Sequence, residues 1–119
     1  MADISGYWEF HRACPHEDMT ILNVDAAGAL VDSSIGTQPI HGHYNAATNA
    51  ISFNDQRFPG QVIRVSYYTG FVLVQAEGGA PCAMAGTYHE LILTGQRPNF
   101  HIETFQSGFY ALWRGPIIG

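Results

Sequence analysis

Strand-forming runs recur at short, regular intervals along this sequence, each closed by turn chemistry, and no window sustains a 3.6-residue apolar period. Residues 4–11 read as a first strand, 13–18 as the first loop and 19–24 as a second strand. Asp25-Ala26-Ala27-Gly28 is a hairpin turn whose glycine is free to take positive φ. Residues 29–35 return, Gly36-Thr37-Gln38-Pro39 breaks the run, and strands at 40–45 and 49–54 follow around a turn at 46–48. Arg57-Phe58-Pro59-Gly60 is a further corner. The stretches 62–68 and 71–76 are the most β-prone, and Thr69-Gly70 makes them either a tight hairpin or one bent strand. Beyond a Gly/Pro loop at 77–81, residues 83–93 and 100–114 supply long closing strands.

The expectation is an all-β chain of eight to ten antiparallel strands in a meander. So small a meander closes on itself because closure removes exposed edges. The predicted architecture is therefore an antiparallel up-and-down β-barrel of about eight strands, a single domain over 1–119, with a sandwich or jelly roll as the alternative. A chain of this length buries roughly two thirds of its unfolded surface and needs no covalent staple. No apolar run reaches the roughly 18 residues of a membrane span, and no basic region precedes an apolar one at the N-terminus. A soluble, cytoplasmic protein without a membrane partner is expected.

Lysine is absent, and the five cations, Arg12, Arg57, Arg64, Arg97 and Arg114, are scattered singly. There is thus no Schiff-base amine and no phosphate-loop lysine, and a net charge of −5 leaves no basic stripe for a nucleic-acid partner. Cys14 and Cys82 each adjoin a proline, which places them in loops, and without a signal peptide they read as free thiols before a bridge, which stays the alternative. No Cys-x-x-Cys pair, Gly-x-Ser-x-Gly elbow or Gly-rich phosphate loop is present.

His41 and His43, two apart on a strand, share one face, and with His89 or His101 they could outline a three-histidine metal site. The plainer reading is exposed or hydrogen-bonded histidines, and no cofactor is expected. His11 and His16 read as surface residues. Glu90 and Glu103 lie on the last two strands and could be neighbours in a buried acid–base pair, or outward-facing surface charges. Tyr44, Tyr67, Tyr68, Phe71, Tyr88 and Phe105 make the middle strands aromatic, and the runs 62–68 and 71–74 are apolar on both faces. A lone barrel in water does not need that, so a homo-oligomer packed through these strands is expected.

Several short strings, in order, carry a resemblance. Gly6-Tyr7-Trp8, Met19-Thr20-Ile21 with Val24 and Gly28, Pro39-Ile40-His41-Gly42, and Gly108 through Arg114 together resemble the avidin and streptavidin family within the lipocalin-related calycins. The resemblance implies a barrel shut at one end by Trp8 with the Arg114 guanidinium laid on its indole, a cation–π contact. In that arrangement Phe10 points inward with Trp8, Leu112 and Tyr110 share the face of Arg114, and Trp113 looks outward. Leu30, Asp32 and Ser34 would face the lumen, where a carboxylate beside a hydroxyl suits the polar end of a ligand; the alternative leaves Asp32 in water at the rim.

The family's biotin contacts are not matched. Phe10 stands where avidins place a polar group on the biotin head, Ser34 stands near their third-strand tyrosine, and Trp8 and Trp113 are the only tryptophans. Each unpaired buried polar group on biotin would cost roughly 1–3 kcal/mol. The resemblance therefore implies a non-enzymatic barrel for a small, largely apolar molecule other than biotin, lined by Phe10, Leu30, Asp32, Ser34 and Tyr110. Two other readings stay open: a small cyclase, isomerase or metal-assisted enzyme using histidine with Glu90 or Glu103, and an interaction module whose lumen is filled by its own side chains.

Overall fold

Eight strands follow one another in chain order: β1 (Gly6–Arg12), β2 (His16–Leu22), β3 (Ser33–Ile35), β4 (Gln38–Asn45), β5 (Ala50–Arg57), β6 (Ile63–Val74), β7 (Pro81–Gln96) and β8 (Asn99–Gly115). Each pairs antiparallel with the next, and β8 returns to β1, so the sheet is a closed meander barrel. The computed structural model describes residues 3–12, 16–57, 62–75, 79–96 and 99–116. Cys14, Arg97, the centre of the expected corner at 58–60, the last residue of the expected strand at 71–76 and the start of the Gly/Pro loop at 77–78 lie outside the described residues. Cys82 is an exposed free thiol.

Two expectations are corrected in detail, and the alternative left open at Thr69-Gly70 is decided. Part of the first loop is strand: residues 16–18 pair with Arg12, His11 and Phe10. The stretch around Thr69-Gly70 is one continuous strand, because β5 and β7 both pair straight through it. The third strand is broken, since Asp32 takes φ 46° and leaves extended geometry. Leu30, before the break, is buried at an isolated bridge to Val24, whereas β3 beyond it points Ser33 and Ile35 inward and Ser34 outward. One left-handed residue thus shifts the alternation that would have placed Asp32 and Ser34 in the lumen.

The barrel closes, but not through Arg114. Trp8 pairs with Trp113 while Tyr7 pairs with Gly115, an irregularity that leaves Arg114 unopposed. Paired residues of an antiparallel ladder share a face. Phe109, Ala111 and Trp113 therefore point inward, and Tyr110, Leu112 and Arg114 point outward. The Trp113 ring meets Trp8 edge-on, with centroids 5.3 Å apart, and Trp8 Nε1 donates to the Ile4 carbonyl at 3.1 Å. A Cβ at Gly6 would collide with the Trp113 ring and the Gly115 carbonyl, which accounts for the glycine of Gly-x-Trp. Arg114 instead bonds Glu9 on the outer wall, where His11 Nε2 also lies 2.7 Å from Glu9 Oε2.

The barrel wall is uneven in height. β1 ends at Arg12, opposite Phe109, but β7 and β8 run on as a paired ribbon to Gln96 and Asn99. β6 accompanies them as far as Ile63.

Candidate functional site

Strand alternation builds the lumen as rows of cross-strand neighbours. Phe53, Tyr68, Tyr88 and Ser107 form one row from β5 to β8. Phe10 from β1 and Phe109 from β8 complete an aromatic cluster with it. The Phe10 ring lies 5.5 Å from Tyr68 and 5.3 Å from Phe109, and Phe53 stacks on Tyr68 at 4.8 Å. These rings fill the middle of the barrel.

One row nearer the mouth the chemistry changes. Asp55, Ser66, Glu90 and Phe105 are successive neighbours across the same four strands. Asp55 and Ser66 are 0% exposed. Ser66 Oγ donates to Glu90 Oε2 at 3.5 Å, and Arg64 Nε sits 3.3 Å from Glu90 Oε1. From β1, Arg12 lies above the Phe10 ring, 5.7 Å from its centroid, and its Nη1 donates to the Tyr68 hydroxyl at 2.7 Å. A polar layer of both signs thus sits on an aromatic floor. Burial pushes the Tyr68 hydroxyl above the ordinary phenol range, with Arg12 opposing and Asp55 reinforcing the rise. At neutral pH the phenol keeps its proton: it accepts from Arg12 and can donate in turn.

The residues singled out from the sequence scatter. Phe10 belongs to the floor and Leu30 is buried near the Trp8 end. Asp32 is exposed, Ser34 is partly exposed on the outward side of β3, and Tyr110 is 49% exposed on the outer wall, stacked on His11 at 4.6 Å. His41, His43 and His89 are exposed, and His43 Nε2 lies 3.1 Å from the Ala27 carbonyl oxygen. His101 and Glu103 form an exposed pair at 3.0 Å. Among the described residues no three His, Cys, Asp or Glu side chains gather closely enough to hold a metal. Glu90 faces Phe105, and Glu103 faces Ile92, so the two glutamates are diagonal rather than opposed.

Strand alternation alone marks two members of the polar layer. Asp55 is in phase with Ile51 and Phe53, and Ser66 is in phase with Tyr68 and Val72, so simple alternation puts both on the buried face. A depression of about 530 Å³ at the opposite end runs between Asp3, Asp25 and His43. There Asp25 Oδ1 already accepts from the Ala27 and Ala29 amides and Asp3 Oδ1 from the Ser5 amide, so these carboxylates serve local turns.

No family model and no curated protein matches the sequence. Among solved structures the chain is similar to a rhizavidin–biotin complex, with TM-score 0.54 and 15% identity over 97% of this chain and 98% of that one. It is also similar to rhizavidin without a named ligand, with TM-score 0.50 and 18% identity over 99% of this chain and 89% of that one. The fold is an avidin-like eight-stranded barrel.

Proposed function

We propose that this chain is a non-enzymatic binding barrel that takes a small molecule at its mouth, an apolar body against Phe105 and a polar end toward Arg12, Arg64 and Glu90. One observation carries the reading: a buried polar layer, with Asp55 and Ser66 at 0% exposure, lies where an interior serving only stability would continue the aromatic packing below it. Small-molecule sites combine an apolar wall with a few convergent polar groups, and the layer supplies both donors and acceptors. Similarity to a barrel solved with biotin supports a ligand at this fold, while Phe10, locked into the ring cluster, supports a ligand other than biotin.

Native mass spectrometry of protein purified from its own host tests this. Retained added mass in the wild type that is lost in Arg12→Met is the expected result. A bare protein that also takes up none of a panel of small aromatic amides and carboxylates would instead favour the filled-lumen module.

A second reading rests on a different surface. Tyr67, Phe71 and Leu73 on β6 are 46%, 59% and 56% exposed, and Tyr110 and Leu112 continue the apolar surface on β8. We read this surface as one that associates with another copy of the chain.

A further inference from the structure

β8 has two different edges. Phe109 to Gly115 are covered by β1, whereas Asn99 to Gly108 pair with β7 alone, and among the described residues no strand lies against their other side. That side presents a row of backbone N–H and C=O groups to solvent. Sheet edges of this kind are usually blunted by proline, by charged side chains, lysine above all, by a bulge or by a covering loop, and the one carboxylate on this edge, Glu103, is matched by His101. Here Phe100-His101-Ile102-Glu103-Thr104-Phe105 holds neither proline nor lysine, and its ladder to β7 shows no register shift. Phe100 and Ile102, 50% and 61% exposed, lie with Ile63, Leu91 and Leu93 on the outer face of the ribbon.

We propose that this edge pairs antiparallel with the same edge of a second copy, joining two barrels through one continuous sheet. The charges select the register. With the two-fold axis at Ile102, each Ile102 lies against the other, and each His101 faces Glu103 of the other copy, so the pair now 3.0 Å apart within one strand is matched twice across the interface. Centring the axis on Glu103 sets carboxylate against carboxylate, and centring it on His101 sets imidazole against imidazole. Both are disfavoured in a cross-strand pair. A self-complementary edge is what an isologous dimer requires.

The inference rests on the reading that copies associate, and it adds a contact at the β8 edge, separate from the β6 surface. The test uses the full chain with Cys14→Ser and Cys82→Ser as background. Ile102→Cys is expected to give a disulfide-linked dimer on mild oxidation, and Val31→Cys, exposed but on neither the edge nor the β6 surface, is expected to stay uncrosslinked. By sedimentation the wild type should dimerise. Glu103→Arg should weaken the dimer about tenfold through loss of both matched pairs, and His101→Glu combined with Glu103→Arg should restore it. Both positions are exposed, so the fold survives these changes, and circular dichroism confirms it. A dimer that crosslinks at Phe71→Cys and not at Ile102→Cys overturns the edge contact and leaves association standing. A wild-type monomer at roughly 100 µM, above the micromolar range of specific association, overturns both.

Discussion

Trp113, not Arg114, packs against Trp8, its ring edge-on at 5.3 Å, and Gly6 vacates the space that the Trp113 indole fills. Gly6→Ala should therefore destabilise the barrel by about 1–3 kcal/mol, the range for overpacking a tight site. Trp113→Ala should cost about 3 kcal/mol, whereas Arg114→Ala, which loses a half-exposed ion pair, should stay under about 1 kcal/mol. Urea denaturation of the three variants checks the order.

Tyr68→Phe removes the hydroxyl that receives Arg12 Nη1 inside the barrel. A loss of about 1–3 kcal/mol is expected, in the range for disturbing a buried hydrogen bond. In the wild type, alkaline titration followed by tyrosine absorbance should show a phenol ionising above 10.0, and Arg12→Met should raise that phenol further by removing the nearby positive charge. A folded-state value above the unfolded one means that Tyr68 binds its proton more tightly in the native state. Its contribution is complete below about pH 10 and is lost as pH rises beyond it.

Glu9 behaves in the opposite sense. Its hydrogen bond to Arg114, and next that to His11, hold the carboxyl below its ordinary 4.5. The stability linked to it is present above that value and disappears as pH falls through the lower native one. Glu9→Gln should flatten the acid limb of the stability profile measured by urea midpoints between about pH 3 and 6, and Arg114→Gln should flatten it in part.

Asp32 interrupts the third strand at φ 46°. Asp32→Val, β-branched and poorly suited to that conformation, should cost about 1–2 kcal/mol. Ser34→Val, on the outward side of β3, should change stability by no more than about 0.5 kcal/mol. Thermal or chemical unfolding of the pair separates backbone strain from side-chain loss.

Much of this molecule is legible from strand rhythm and turn chemistry. The closed meander follows from them, and so does the inward position of Trp8 and Phe10. The errors come from single residues that shift alternation. Asp32 leaves extended geometry, and the irregularity opposite Tyr7 and Trp8 inverts which residues of β8 point inward. Each flips every side chain beyond it, so Ser34 and Tyr110 moved outside together with Arg114. The polar layer is legible only in part, for a different reason. Asp55, Ser66 and Arg12 lie far apart in sequence and carry no motif, and only the pairing of β5, β6 and β7 with the curl of β1 shows them sharing one wall.

The six tyrosines sample different parts of the barrel: Tyr68 and Tyr88 line the lumen, Tyr44 lies by the far depression, and Tyr7, Tyr67 and Tyr110 are on the outside. Fluorine NMR of the 3-fluorotyrosine-labelled protein, titrated with the small molecule released from host-purified material, reads the location of binding directly. A mouth site shifts the Tyr68 and Tyr88 signals and leaves Tyr44 unmoved. Shifts confined to Tyr44, or to the outer tyrosines, with Tyr68 and Tyr88 unchanged, would contradict the assignment of the polar layer as the binding site.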